Sequence, residues 1–358
     1  MGERSHTGSL KMAKTDLNAF VDALVKASYV VLGPIEEGEA TKFGVVGGEK
    51  IKLPRLTTRP LKELFFPQDE SLLSFDRSGT PDASVDTSEV LASDGISPRV
   101  ALGVRPCDAR ALVLLDNVFA SDDYRDPYYT LRREKTVIIT FACPLPGVAC
   151  FCESTGGGPY DETGSDVLFV EVAGSYLVKA VSEKGKGLLQ EVFPPCILHE
   201  ADDEDIQAAA EARARGELPA NAGVPIEAAA AILGHVDAFG DSAWEEVYKK
   251  CLGCAVCTYL CPTCHCFDIG DEVTGASGER IRNWDSCMFP LFTLHASGHN
   301  PRPSRKERFR QRVMHKFNYF VENNDCMACV GCGRCVENCP VNLDIRQVLT
   351  TFARRELA

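Results

Sequence analysis

Two stretches of this chain space four cysteines alike, and each closes on a proline. They are Cys251-Leu-Gly-Cys254-Ala-Val-Cys257-Thr-Tyr-Leu-Cys261-Pro262 and Cys329-Val-Gly-Cys332-Gly-Arg-Cys335-Val-Glu-Asn-Cys339-Pro340. Both read C-x2-C-x2-C-x3-C-P, a run whose first three thiolates seat on one [4Fe–4S] cube while the fourth reaches the other cube. The spacing therefore predicts one cluster on Cys251, Cys254, Cys257 and Cys339, and a second on Cys261, Cys329, Cys332 and Cys335. Zinc is the competing reading of any C-x2-C pair. It takes four ligands, and it does not account for two copies of a four-cysteine run with a trailing proline.

The chain holds 17 cysteines, so 17 − 8 = 9 lie outside these runs. Four fall at predicted strand ends: Cys107, Cys143, Cys150 and Cys152. Neighbouring strands bring such thiols to one place, and four thiolates suit a third [4Fe–4S] cluster. Alternatives for these four are a structural zinc or small buried apolar residues. Cys264 and Cys266 flank His265 beside the first run, and Cys287 follows Trp284-Asp-Ser. They read as neighbours that tune a cluster through S–H or N–H contacts, or as extra ligands. His265 reads as a supporting or solvated residue rather than a ligand. Cys326 stands three residues before Cys329 and blurs the register, which Pro340 fixes. Cys196 reads as structural.

These residues need a frame. Apolar residues make up 45 % of the 358-residue chain and charged residues 25 %, an ordinary globular balance. Helical spacing covers 16–27, and short strands are predicted at 29–32 and 43–46. Residues 68–97, rich in Ser, Asp, Pro and Gly, read as surface loop. A strand at 99–104, a helix at 108–119 capped by Asp108, a strand at 136–141, a hairpin at 167–181 and a helix at 184–193 follow. Helices at 202–215, 225–239 and 241–250 lead into Cys251. The fold class expected is α+β: a mixed α/β domain over 1–200, a helical linker over 201–250, and a two-cluster ferredoxin-like domain over 251–358 with an insert at 267–325. Ser304 and Glu307 form a capping box for a helix rich in Arg and Lys. Its basic residues, Arg305, Lys306, Arg308, Arg310, Arg312 and Lys316, read as a solvated face or as a dock for an acidic partner.

The net charge of −13 argues against nucleic acid and anionic membrane as partners. No secretory signal or membrane span is visible, and many cysteines without an export signal suit a reducing cytoplasm. Gly156-Gly157-Gly158 lacks the companions of a phosphate loop and reads as a turn. No flavin or nicotinamide fingerprint is present.

Several longer motifs carry a resemblance: Gly103-Val-Arg-Pro-Cys-Asp-Ala-Arg-Ala-Leu112, Cys150-Phe-Cys152, Cys261-Pro-Thr-Cys-His-Cys266, Trp284-Asp-Ser-Cys-Met-Phe289 and Gly298-His-Asn-Pro-Arg-Pro303. From about residue 20 to 350 the chain resembles the iron–sulfur subunit family that includes the A subunit of anaerobic sulfite reductase and the beta subunit of archaeal sulfhydrogenase. Relatives occur beside heterodisulfide-reductase-type complexes. The resemblance implies electron relay inside a cytoplasmic multisubunit oxidoreductase. Expected partners are a flavin/NAD(P)-binding subunit and a catalytic or bifurcating subunit, with ferredoxin as a further candidate. It also implies cluster ligation at the eight cysteines of the runs and at the N-terminal four. Two other readings stay open: a reductase whose substrate meets an open cluster iron, and a structural module braced by its metals.

Overall fold

A computed structural model describes residues 9–47, 51, 53–76, 84–86, 97–192, 197–215 and 223–355. In chain order these form β1 (Leu10–Ala13), α1 (Leu17–Lys26), β2 (Val30–Glu37), β3 (Ala40–Val45), β4 (Asp69–Asp76), β5 (Ser84–Asp86), β6 (Arg99–Val104), α2 (Pro106–Phe119), α3 (Pro127–Lys135) and β7 (Thr136–Phe141). Then come β8 (Val167–Val172), β9 (Ser175–Ala180), α4 (Glu183–Val192), β10 (His199–Glu200), α5 (Asp203–Arg215), α6 (Ile226–Leu233) and α7 (Ala243–Val247). The remainder is α8 (Val256–Tyr259), β11 (Phe267–Thr274), β12 (Ser277–Trp284), α9 (Arg305–Met314), α10 (Phe320–Asn324), α11 (Arg334–Glu337) and α12 (Ile345–Ala353). The α+β class stands.

One sheet runs in the order β10-β1-β9-β8-β7-β6-β2-β3. Its centre is parallel, β2 to β6 to β7 to β8, and its flanks are antiparallel. β7 is buried along its whole length, as a strand covered on both faces must be. Phe20, Leu24, Ile139 and Phe169 pack on one side; Ala101, Leu112, Ile138 and Tyr129 pack on the other. The C-terminal ends of β6 and β7 therefore lie side by side, and each delivers a cysteine: Cys107 in the first turn of α2, and Cys143 just beyond β7. Open α/β sheets place their sites at this edge.

Residues 69–76 correct the loop expected over 68–97. They form β4, which pairs with β12 of the insert in a second sheet ordered β11-β12-β4-β5. The stretch is polar because β11 and β12 lie largely exposed, so its partner carries no apolar alternation to read. A buried ion network clamps the insert: Arg282 on β12 pairs with Glu70 and Asp126, and Glu70 also takes Arg132 of α3.

Smaller differences have local causes. α2 starts at Pro106 with Arg105 at its cap, because Pro suits the first helical turn; Asp108 is instead buried against Arg334. The helix expected over 225–239 ends at Leu233 and resumes as a 3-10 turn over Val236–Gly240. The helix expected over 241–250 shortens to α7. Cys196 lies outside the described residues.

Candidate iron–sulfur centres

The two cysteine runs fold alike. Run one holds Gly253 at φ 74° and Ala255 at φ 65°; run two holds Gly331 at 60° and Gly333 at 80°. Left-handed residues at the same two positions wind each run into one loop shape and aim backbone N–H groups at sulfur. Gly253 N–H donates to Cys251 Sγ at 3.4 Å. Leu343 N–H donates to Cys339 Sγ at 3.2 Å. α8 and α11 then carry Cys261 and Cys339 away from their own loops, toward the partner loop.

Three hollows result. Hollow A is lined by Cys251, Cys254, Cys257, Cys335 and Cys339, with Met288, Phe309 and Arg312. Hollow B is lined by Cys261, Cys329, Cys332 and Cys335, with Arg312 and Lys316. Hollow C is lined by Cys107, Cys143, Cys150, Cys152 and Cys332, with Arg55 and Arg105. Cys335 is common to A and B, and Cys332 to B and C, so the three stand in file. All twelve predicted ligands are thus gathered into three groups. Among the described residues no three His, Cys, Asp or Glu side chains converge tightly enough to share a single metal ion.

Hollow C is built by contact between the two halves of the chain. Phe151 N–H donates to Gly331 O at 2.8 Å. A Cβ on Gly331 would stand 2.5 Å from the Phe151 backbone and 2.6 Å from Cys152 Cα. Only glycine admits this approach. Arg55 closes the hollow by donating to Cys150 Sγ at 3.5 Å and to Glu337. Arg105 spends its guanidinium on the carbonyls of Pro54, Phe141 and Ala142, which holds the turn after β7. The Gly156–Gly158 turn brings Pro159 to the hollow's wall.

Burial pushes the thiols upward: Cys329 to about 11, Cys152 to about 12, Cys107 well above its ordinary value, and Cys257 and Cys335 in the same direction. Bare, these groups sit protonated. A metal core must displace those protons, so assembly releases protons and is pH-dependent.

The remaining described cysteines do not line the three hollows. The Cys264 thiol donates to Cys261, and the Cys287 thiol donates to Cys266, which lowers Cys266. Cys264 thus touches a predicted ligand, as a tuning neighbour would. Cys326 accepts from Asn117 at 3.6 Å. His265 is half-buried beside His315, and desolvation lowers both rings to about 4, so both are neutral.

The basic helix departs from expectation. Arg305 remains exposed, but Arg308, Arg312 and Lys316 are buried. Lys316 Nζ donates to Cys261 Sγ at 3.3 Å, to Thr263 Oγ1 and to the Ala328 carbonyl. The reason is register: Arg308, Arg312 and Lys316 form a stripe directly beside the apolar stripe Phe309, Val313 and Phe317. That adjacency is legible in the sequence; its burial depends on what packs over it. Lys62, from the N-terminal half, is buried over the Trp284 ring and donates to Cys264 O at 2.7 Å.

The residues present fit iron–sulfur cubes on the donor set itself. Thiols surround three hollows, N–H groups aim at sulfur, and buried cations face the thiols where an anionic core would sit.

Comparison with known proteins agrees for A and B. Residues 250–343 match the family model described as a 4Fe-4S dicluster domain, which gives the C-terminal half two [4Fe–4S] clusters. The chain is 33 % identical over 322 residues to sulfhydrogenase 2 subunit beta of Pyrococcus furiosus, covering 89 % of this chain and 91 % of that one. With both halves of the fold inside that match, the chain belongs to the iron–sulfur subunit family of the archaeal sulfhydrogenase beta subunit.

Proposed function

We propose that this protein is the electron-transfer subunit of a cytoplasmic multisubunit oxidoreductase, relaying single electrons along the file of hollows A, B and C. The observation that carries this reading is the sharing of Cys335 between A and B and of Cys332 between B and C. Cys251, Cys254, Cys257 and Cys339 would hold the cluster in A, and Cys261, Cys329, Cys332 and Cys335 the cluster in B. Cys107, Cys143, Cys150 and Cys152 would hold a third in C. Such clusters supply one-electron reduction and oxidation without bond making. The chain fixes them, keeps water from B, and tunes them through N–H···S contacts.

Both ends of the file reach the surface. Cys254 and Leu252 are exposed at the edge of A, while Leu145 and Val148 are exposed on the loop that frames C. Lys249, Lys250 and Arg305 lie exposed near the A edge, and Arg305 donates to the Cys251 carbonyl at 3.0 Å. An acidic partner, such as a flavin/NAD(P)-binding subunit or a ferredoxin, would be steered there. A catalytic or bifurcating subunit would then meet C. Iron and acid-labile sulfide on anaerobically purified protein test the reading. About twelve irons per chain support three clusters, about eight reduce the relay to A and B, and zinc without sulfide overturns it.

A second reading is favoured by one feature. A cleft of about 270 Å³, lined by Arg55, Arg105, Phe141, Cys143 and Tyr176, opens beside C at the ends of β6 and β7. A small molecule bound there would meet Cys143 directly. Turnover of such a substrate by the isolated subunit with a reduced dye would replace the relay with a reductase.

A further inference from the structure

Arg312 and Lys316 stand one turn apart where α9 passes into a π-helical turn over His315–Tyr319. Arg312 lines both A and B, and Lys316 lines B alone. Both side chains are buried. Among the described residues no carboxylate pairs with either, and the buried Arg312 Nε has no hydrogen-bond partner. Burial works against the charge of each, and cysteines stand beside both: Cys257 and Cys335 line the hollow with Arg312, and Cys261 Sγ accepts from Lys316 at 3.3 Å. Unpaired buried cations are costly, and a fold keeps them where a buried anion answers them. Around Arg312 the anion-forming neighbours include Cys257 and Cys335 of the hollows and Cys264 beside them.

We propose that Arg312 and Lys316 are counter-cations that raise the reduction potentials of the iron–sulfur clusters, Arg312 acting on those in A and B together and Lys316 on that in B alone. This rests on the cluster assignment made above. Reduction adds one electron, and so one negative charge, to a site and makes or breaks no bond. A fixed cation at the wall favours the more negative state. Because Arg312 borders two sites, it raises both potentials together, and Lys316 sets that of B relative to A. The buried π turn places Lys316 against Cys261, the ligand that run one sends to B.

The test is an EPR-monitored redox titration, with dithionite as the one-electron reductant, of the full chain and of its Arg312→Met, Arg312→Lys and Lys316→Met variants. Iron and sulfide are counted on each sample. The expected result is unchanged iron, with the reduced-to-oxidised ratio at fixed potential falling about tenfold for both ferredoxin-type couples in Arg312→Met, a shift of about 59 mV. Arg312→Lys should stay near the parent, and Lys316→Met should shift one couple only. Loaded variants with unshifted potentials overturn the proposal. Should Arg312→Met not retain iron, Arg312→Gln repeats the test with a neutral polar group. Loss of iron in both, with Arg312→Lys loaded, assigns the cation to assembly and overturns its role in setting potential. A parent protein without about eight irons sinks the cluster assignment itself, an outcome distinct from a failed shift.

Discussion

The Arg334 guanidinium meets the Asp108 carboxylate through two hydrogen bonds of 2.7 Å, with both side chains 1 % exposed. Arg334 stands between Cys332 and Cys335, and Asp108 follows Cys107. The pair therefore clamps run two onto the first turn of α2, where hollows B and C adjoin. Arg334 also donates to the Thr57 carbonyl and hydroxyl, so four of its five N–H groups are used. Removing one partner leaves a buried charge without an answer. Arg334→Met should cost about 3–5 kcal/mol, read as an anaerobic denaturant midpoint. Asp108→Asn should cost less, since the amide still accepts one of the two bonds. Equal stability of Arg334→Met and the parent would show that the clamp contributes nothing.

The two runs differ at one matched position, and packing gives the reason. Position 255 is alanine at φ 65°, and position 333 is glycine at φ 80°. A Cβ on Gly333 would lie 2.8 Å from the Ala149 carbonyl carbon, inside the loop that carries Cys150 and Cys152. Gly333→Ala should therefore cost about 1–3 kcal/mol and reduce iron at C while A stays filled. Ala255→Gly should be tolerated, because relief of a left-handed alanine, roughly 1–2 kcal/mol, offsets the loss of one buried methyl. If both substitutions behave alike in denaturation and iron content, the close approach is not what selects the glycine.

These two positions also mark the limits of sequence reading. Cluster spacing is local, so eight cysteines a few residues apart declare themselves. The N-terminal four could be named only as a group at strand ends, since their convergence depends on β6 and β7 lying parallel and adjacent. β4 was hidden by its Ser and Asp content, because its partner β12 belongs to the insert and lies across the fold. Arg312 and Lys316 look like solvated charges until the helix is seen packed over two hollows. Asp108 has the type and place of a cap, and only the arrival of run two turns it inward. What escaped is in each case a partner supplied by a distant segment.

Stability should fall in mild acid through two histidines. Burial holds His265 and His315 at about 4, below the ordinary value of 6.5. Both therefore stay neutral in the fold while an unfolded chain takes up protons. Their contribution is fully present above the unfolded value, and it is lost as the pH falls from 6.5 toward 4. For His265 the full loss is roughly 3 kcal/mol. Denaturant midpoints measured between about pH 7.5 and pH 5.5 should decline, and His315→Phe, whose ring suits the site beside Phe320, should flatten the decline. An unchanged slope in that variant would place the acid sensitivity in other groups.

Iron counts separate the three sites. Cys152→Ala removes a thiol from C and none from A or B, so it should lower a three-cluster protein by about four irons and leave the ferredoxin-type EPR signals in place. Cys257→Ala removes a wall of A. Its effect should spread further: run one also supplies Cys261 to B, and run two supplies Cys339 to A, so a loosened loop disturbs both sites. About four irons or more should be lost, with both ferredoxin-type signals altered. The contrast follows from topology, because the thiols of C come from the N-terminal sheet and its following loop, while A and B exchange ligands. Full iron and unaltered signals in Cys257→Ala would refute the ligand set for A. Equal damage from Cys152→Ala to the ferredoxin-type signals would mean that C is part of the same folding unit as the pair rather than a separate end of the relay.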